Sequence, residues 1–357
     1  MTINLAAVVR GFTPQPDLCV EQRAQPKPGP GQVLVRMRYS PINPSDFNLV
    51  RGTYNESLKP LIWNQGAEPL AYDAARTRLA KNPPYVLGGE GSGTVVASGG
   101  GLLAWRLRGK RVAVASGLGA DEGTWQQYLC VDAKRCLPMP DSVSDEQAAM
   151  TFVNPLTAYI LVREILRVQP GQWLLITAAG SMLGQGAIRM ARKYGYKTIA
   201  VVRSRAGAEQ LAQLGATATV ALESEDLIQA VYRITGGRGV QCAMDCVGGD
   251  TAVSVIRSLA AAGRLVLYGT LTPEPMTLPS RHLMMPVATV SGFFLPGWLA
   301  QHGPLKLLGV LRATRQLIAE GYFDTEIAAK FPLTQIHEAL AAAAPGGKKI
   351  LLDLGSV

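Results

Sequence analysis

Between residues 150 and 292 the chain alternates short apolar runs with stretches of helical periodicity, and no other feature restricts the fold as much. WLLIT (173–177) leads through a glycine-rich turn into the helical GQGAIRMARKYG (184–195), and TIAVV (198–202) precedes AGAEQLAQLG (206–215). ATVAL, a helical stretch over 224–235, VQCAMD (240–245), a helix-like 251–262 and RLVLYG (264–269) continue the rhythm. Successive strands separated by helices pair in parallel, so this region predicts an α/β fold: a doubly wound parallel sheet with helices on both faces.

The flanks have another texture. From residue 1 to 149 the apolar runs are short and punctuated by Gly and Pro. In GQVLVRMRYS, Val33, Val35, Met37 and Tyr39 alternate with Leu34, Arg36, Arg38 and Ser40, and TVVA (94–97), RVAVA (111–115) and QYLCV (127–131) follow. Such spacing predicts a small β-rich domain, a barrel or open roll. Beyond 293 helical stretches lead to KKILLDL (348–354), a strand able to return to the first domain. The expected division is 1–149, 150–292, and 293–357 as the returning segment. Residues 55–84 fit neither texture and are read as an excursion from the first domain.

The turn after WLLIT carries the sharpest chemical signal. AAGSMLGQGAI places Ala178, Ala179, Gly180 and Ser181 between strand and helix, with Gly184 and Gly186 entering the helix. Small residues admit a pyrophosphate to the backbone, and the helix N-terminus offers free N–H donors and partial positive charge. The spacing departs from G-x-G-x-x-G, but the strand–turn–helix context is the required one. An NAD site ordinarily places an acid about 20 residues on, at the end of the second strand. Here TIAVV runs into Arg203-Ser204-Arg205, and no acid follows until Glu209. Two guanidinium groups suit a 2′-phosphate, so the expected cofactor is NADPH.

Composition narrows the partners. Hydrophobic residues make up 48% and charged residues 17%, which excludes a disordered chain. Lys+Arg exceed Asp+Glu by 35 − 26, a net charge of +9, but without a run of like charge comparable with a nucleic-acid tail. A phosphate-bearing small molecule is therefore expected, and no nucleic acid. Five cysteines, an odd number spread along the chain, argue for a reducing compartment. The N-terminal MTINLAAVVRGF turns polar before a signal-peptide core develops, and no apolar stretch approaches the ~20 residues of a membrane span. A cytoplasmic protein without a membrane partner is expected. His282, His302 and His337 are the only histidines, and no C-x-x-C pair occurs, so no metal is expected.

With these residues in hand, the chain resembles the zinc-free branch of the medium-chain dehydrogenase/reductases, which contains mitochondrial-type 2-enoyl thioester reductases and quinone oxidoreductases. The resemblance runs through SPINPSDFNLVRGTY (40–54), GGEGSGTVV (88–96), GTWQQY (123–128), NPLTAY (154–159), AAGSMLGQ (178–185), VVRSR (201–205), CVGG (246–249), YGTL (268–271), GFFLPGW (292–298) and KKIL (348–351). Zinc-dependent members carry G-H-E where Gly88-Gly89-Glu90 stand here. The family implies a GroES-like domain built from both chain ends, a Rossmann domain between them and a homodimer. The combination of motifs points to the enoyl reductases: NADPH-dependent reduction of a C=C bond conjugated to a carbonyl, with CoA or acyl-carrier-protein thioesters as substrates. Quinone or alkenal reduction is the alternative.

The same resemblance implies roles. Tyr54 matches the proposed proton donor, and a phenol with a pKa of about 10 stays protonated near neutrality. Asn154 matches the residue beside the nicotinamide, with Thr157 on the same motif. Ala179, Gly180, Ser181, Met182, Leu183 and Gly184 match the pyrophosphate turn, and Arg203, Ser204 and Arg205 the 2′-phosphate clamp. Cys246, Val247 and Gly248, then Tyr268, Gly269, Thr270 and Leu271, then Phe293, Phe294 and Leu295 match segments lining the cofactor. Lys348 matches a cofactor-contacting lysine. One departure stands out: the stretch from Asn55 to Leu87 is longer than in the enoyl reductases. It could reshape the substrate mouth, cap it or displace Tyr54.

Overall fold

A computed structural model of the 357-residue chain describes residues 3–12, 15–53, 83–117, 120–344 and 349–355. The chain forms two compact units, Met1–Val153 with Thr325–Val357, and Asn154–Asp324.

The second unit is built on a six-stranded parallel sheet. Its spatial order is Ala218–Ala221, Lys197–Val202, Trp173–Ile176, Val240–Asp245, Leu259–Leu267 and Thr289–Gly292. Counted along the chain from Trp173, that is the 3-2-1-4-5-6 order of a Rossmann sheet. The order reverses between Trp173–Ile176 and Val240–Asp245, and sheets of this kind take their ligands at the carboxyl ends of the strands there. Leu175, Ile199, Val201, Ala243 and Leu265 are wholly buried between the helical layers. Burial on both faces explains why these strands read as continuous apolar runs rather than alternating ones.

Local propensity misleads at one point of this unit. The alanine-rich 251–262 is helix-like in sequence, yet the helix is Gly249–Arg257 and the strand begins at Leu259. Parallel pairing with Val240–Asp245 overrides the helical preference of Ala260, Ala261 and Ala262, at the cost of a bulge after Val240 and a positive φ of 54° at Ala262.

The first unit has a seven-stranded and a three-stranded sheet. Six strands of the larger run in the order Ile327–Pro332, Lys349–Asp353, Gln32–Pro41, Glu90–Ser98, Arg111–Ala115 and Cys136–Pro138, while Tyr128–Asp132 also pairs with Gln32–Pro41. The smaller orders Asp17–Ala24, Ile3–Gly11 and Tyr85–Val86. Val33, Val35, Met37, Trp125, Leu129 and Leu352 fill the core. The returning strand Lys349–Asp353 lies inside the sheet, antiparallel to Gln32–Pro41, with Leu352 opposite Ser40.

The expected boundaries shift in two places. The first unit extends to Val153 rather than to 149, because the backbone N–H groups of Phe152 and Val153 donate to Glu90 at 2.7 and 2.9 Å. The return starts at Thr325 rather than at 293. Residues 293–324 stay with the second unit: helix Pro304–Ala319 buries Val310, Leu317 and Ile318, and Lys306 pairs with Glu164. Arg189 donates to the carbonyl oxygens of Tyr322 and Asp324.

Candidate cofactor site

Strand Trp173–Ile176 ends in a turn whose backbone is held from three sides. Ala178 has a φ of 45°, a left-handed conformation that side chains disfavour. The N–H of Ala179 donates to the Val201 carbonyl at 3.1 Å, and that of Ser181 to Ala178 at 3.0 Å. Ser181 caps helix Met182–Tyr194, its Oγ accepting from the Gly184 N–H at 3.2 Å. The first turn holds no acid, and Ser181 satisfies only one of the N–H groups that a helix start leaves without intrahelical acceptors.

The glycines of this turn do different work. A Cβ on Gly184 would meet the Ala179 carbonyl oxygen at 2.6 Å, and one on Gly186 would meet the Phe323 ring at 2.1 Å. Both are required by packing of the helix against its own unit. A Cβ on Gly180 would meet nothing within 4 Å. The space beside Gly180 is open, so a ligand can approach the backbone there.

The second strand delivers Arg203, Ser204 and Arg205, all exposed. Ser204 caps helix Arg205–Leu214, its Oγ accepting from the Gly207 N–H at 3.3 Å. Among the described residues neither guanidinium belongs to an ion pair. The fold also brings in an acid that spacing did not reveal. Glu223, from the end of the third strand, accepts the Arg205 backbone N–H at 2.6 Å. Its distance in sequence hid it; a reading of which strand ends lie side by side would have found it.

At the topological switch point Asp245 is fully buried. Thr177 Oγ1 donates to Asp245 Oδ1 at 2.6 Å and accepts from the Cys246 N–H at 3.2 Å, while the Gly248 N–H donates to Asp245 Oδ2 at 2.9 Å. Burial pushes the Asp245 carboxyl up, with these hydrogen bonds acting against it. The N–H groups of Tyr268, Leu271 and Thr272 donate to the carbonyl oxygens of Asp245, Cys246 and Val247. Residues 246–248 and 268–271 are thereby laced together, and a Cβ on Gly269 would meet Cys246 Cβ at 2.8 Å. Burial pushes the Cys246 thiol up to about 11 and the Tyr268 hydroxyl well above its usual value. The Tyr268 hydroxyl is buried against the Cys246 thiol. The Phe293 N–H donates to Leu267 at 2.7 Å, which sets Phe293, Phe294 and Leu295 just beyond the same strand end, and Thr270, Leu271 and Phe294 are exposed. Asn154 and Thr157 lie on helix Asn154–Tyr159, which packs on helix Met182–Tyr194.

The residues of the second unit therefore fit a dinucleotide: open space at Gly180, a helix start without acid and two exposed guanidinium groups. Tyr54, Lys348 and most of the 55–84 excursion lie outside the described residues.

Lys349, the neighbour of Lys348, has an internal role. Its Nζ donates to Asn43 Oδ1 at 2.6 Å, Asn43 Nδ2 donates to Glu90 Oε1 at 3.0 Å, and Glu90 Oε2 accepts from Phe152 and Val153. All three side chains are buried. Burial pushes Glu90 up and Lys349 down, each opposed by the charge of the other. Glu90 stands beside Gly89, where zinc-dependent relatives carry a histidine. Among the described residues no group of three His, Cys, Asp or Glu side chains is placed to hold a metal ion.

Comparison with known proteins agrees with this architecture. The alcohol dehydrogenase GroES-like domain model matches residues 29–141, and the zinc-binding dehydrogenase model matches residues 183–307. The chain belongs to the medium-chain dehydrogenase/reductase family. Within the family it is 29% identical over 331 residues to the mitochondrial enoyl-[acyl-carrier-protein] reductase of Dictyostelium discoideum, covering 90% of this chain and 86% of that one. A candidate NADPH:quinone reductase of Bacillus thuringiensis superposes with a TM-score of 0.85 at 26% identity, over 99% of both chains. The Escherichia coli quinone oxidoreductase, solved with NADPH, shares the fold at a TM-score of 0.80 and 24% identity, over 98% of this chain and 99% of that one.

Proposed function

We propose that the protein uses NADPH to reduce the C=C bond of α,β-unsaturated carbonyl compounds, with trans-2-enoyl thioesters of CoA or an acyl carrier protein as its substrates. The observation that carries this reading is the exposed pair Arg203 and Arg205 beside an acid-free phosphate turn. It stands in a chain whose curated relative is an enoyl-thioester reductase.

When bound, NADPH supplies the hydride. The chain does the rest. The turn from Ala179 to Gly184 would hold the pyrophosphate, and Arg203 and Arg205, with Ser204, the 2′-phosphate. Asn154, Thr157, residues 246–248, 268–271 and 293–295, and Lys348 would flank the remainder. Reduction adds hydride at Cβ and a proton at Cα, and the carbonyl oxygen gains charge between the two events. A donor aimed at that charge lowers the barrier without a metal. Tyr54 serves as that donor. Tyr54→Phe should lower kcat on an enoyl thioester about 10²-fold while the KM for NADPH holds. Intact turnover would remove Tyr54 from the mechanism.

A second reading, quinone or alkenal reduction, is favoured by the Bacillus thuringiensis neighbour. NADPH consumption measured in parallel with crotonyl-CoA, dodecenoyl-CoA and a benzoquinone separates the two: turnover of the quinone alone would replace the first reading with the second. We also read the protein as a homodimer. The edge strand Thr289–Gly292 is largely exposed and lies near the exposed Met284, Met285 and Val287. A sedimenting mass of one chain at micromolar concentration would refute the dimer. Among the described residues no helix is long and apolar enough to cross a membrane. The cytoplasm is the compartment proposed from five cysteines that are all free.

A further inference from the structure

We infer that Glu223 sets the preference between phosphorylated and unphosphorylated nicotinamide dinucleotides, by holding a carboxylate at the helix start that Arg203 and Arg205 flank. The inference rests on the NADPH reading above and assigns it an internal antagonist.

Glu223 is tied at two points. Its N–H donates to the Arg203 carbonyl at 3.0 Å, and its Oε1 accepts the Arg205 N–H at 2.6 Å. Strand Lys197–Val202 and the residues after Ala218–Ala221 thus run together beyond the sheet, since the Leu222 N–H also donates to Val202 at 3.0 Å. Glu225, two residues on, is held by other partners, its Oε2 pairing with Arg233 at 2.6 Å and its Oε1 accepting from the Ala221 N–H at 3.3 Å, although the Arg205 charge also reaches its carboxylate. Among the described residues Glu223 has no cationic side chain paired with it.

With Ser204 capping Gly207 and Glu223 capping Arg205, two donors at the start of helix Arg205–Leu214 are satisfied from within the chain. A 2′-phosphate arriving at the arginines meets a fixed negative charge and competes for the Arg205 N–H. A 2′-hydroxyl meets no repulsion and can donate to the carboxylate. That is the work an acid at the end of the second strand does in NAD sites. Here the arginines come from the second strand and the acid from the third, so the chain carries both halves of the discrimination.

The test is direct titration of the intact protein with NADPH and with NADH, read by nicotinamide fluorescence without substrate. E223Q keeps an oxygen for the Arg205 N–H and removes only the charge; E223A removes both. In E223Q the Kd for NADPH should fall about fivefold and that for NADH should rise about threefold, the size of change expected from one exposed charge. E223A should shift the ratio of the two constants in the same direction. An unchanged ratio in both variants, or a parallel shift of both constants, overturns the inference while the NADPH reading stands. If the unmodified protein binds neither dinucleotide, both fail together.

Discussion

Lys349 and Glu90 in the first unit, and Arg205 and Glu223 in the second, are each a cation and an acid brought together by distant segments, but they are handled in opposite ways. The first two are buried, bridged through Asn43 and saturated by backbone donors. The second two lie in the open, and the Glu223 carboxylate meets the backbone N–H of Arg205. Burial turns a charge into a structural commitment, because losing one partner leaves the other desolvated and alone. Exposure leaves the charge free to be exchanged for that of a ligand. The first arrangement serves the fold, the second recognition.

Three sets of changes test that contrast. Glu90→Gln should cost the most, about 3–5 kcal/mol, because it strands Lys349 in a buried site. Adding Lys349→Met should recover much of the loss in thermal unfolding; a single variant as stable as the parent would show that the triad is not a structural unit. Next come the glycines. Gly186→Ala drives a methyl into the Phe323 ring and should destabilise the protein by about 1–3 kcal/mol. Gly180→Ala, which meets nothing, should leave the melting temperature unchanged and weaken NADPH binding. If Gly180→Ala destabilised as much as Gly186→Ala, Gly180 would be a packing feature. Arg203→Ala with Arg205→Ala should likewise change stability little, within about 0.5 kcal/mol. The same pair should raise the KM for NADPH by about tenfold or more, and far more than that for NADH. Equal losses for both cofactors would break the clamp.

The parallel sheet, the small-residue turn after its first strand and the returning strand were legible because each rests on local signals: apolar runs, small residues between strand and helix, and a β-rich last segment. Four features were not. Helix Pro304–Ala319 has an apolar stripe, but a stripe does not say which core it will join, and Phe323 against Gly186 decides that only in three dimensions. The strand starting at Leu259 defeats the helical propensity of its alanines through pairing alone. Glu223 is separated from Arg205 by a whole helix and strand, so no spacing rule linked them. In the first unit the adjacent lysines 348 and 349 could not be told apart by pattern, because the strand Lys349–Asp353 is buried along nearly its whole length.

The place of that strand has a consequence for biosynthesis. Residues 325–353 leave the ribosome only after the entire second unit, yet Lys349–Asp353 sits between two other strands of the first. Until it arrives, the Tyr39–Pro41 end of its neighbour lacks a partner and Glu90 waits without its lysine. The inserted unit can close first, while the discontinuous one stays unfinished through most of translation. A stop codon upstream of 349 would remove an interior strand rather than trim a tail, so truncation there should yield aggregation instead of a shortened enzyme.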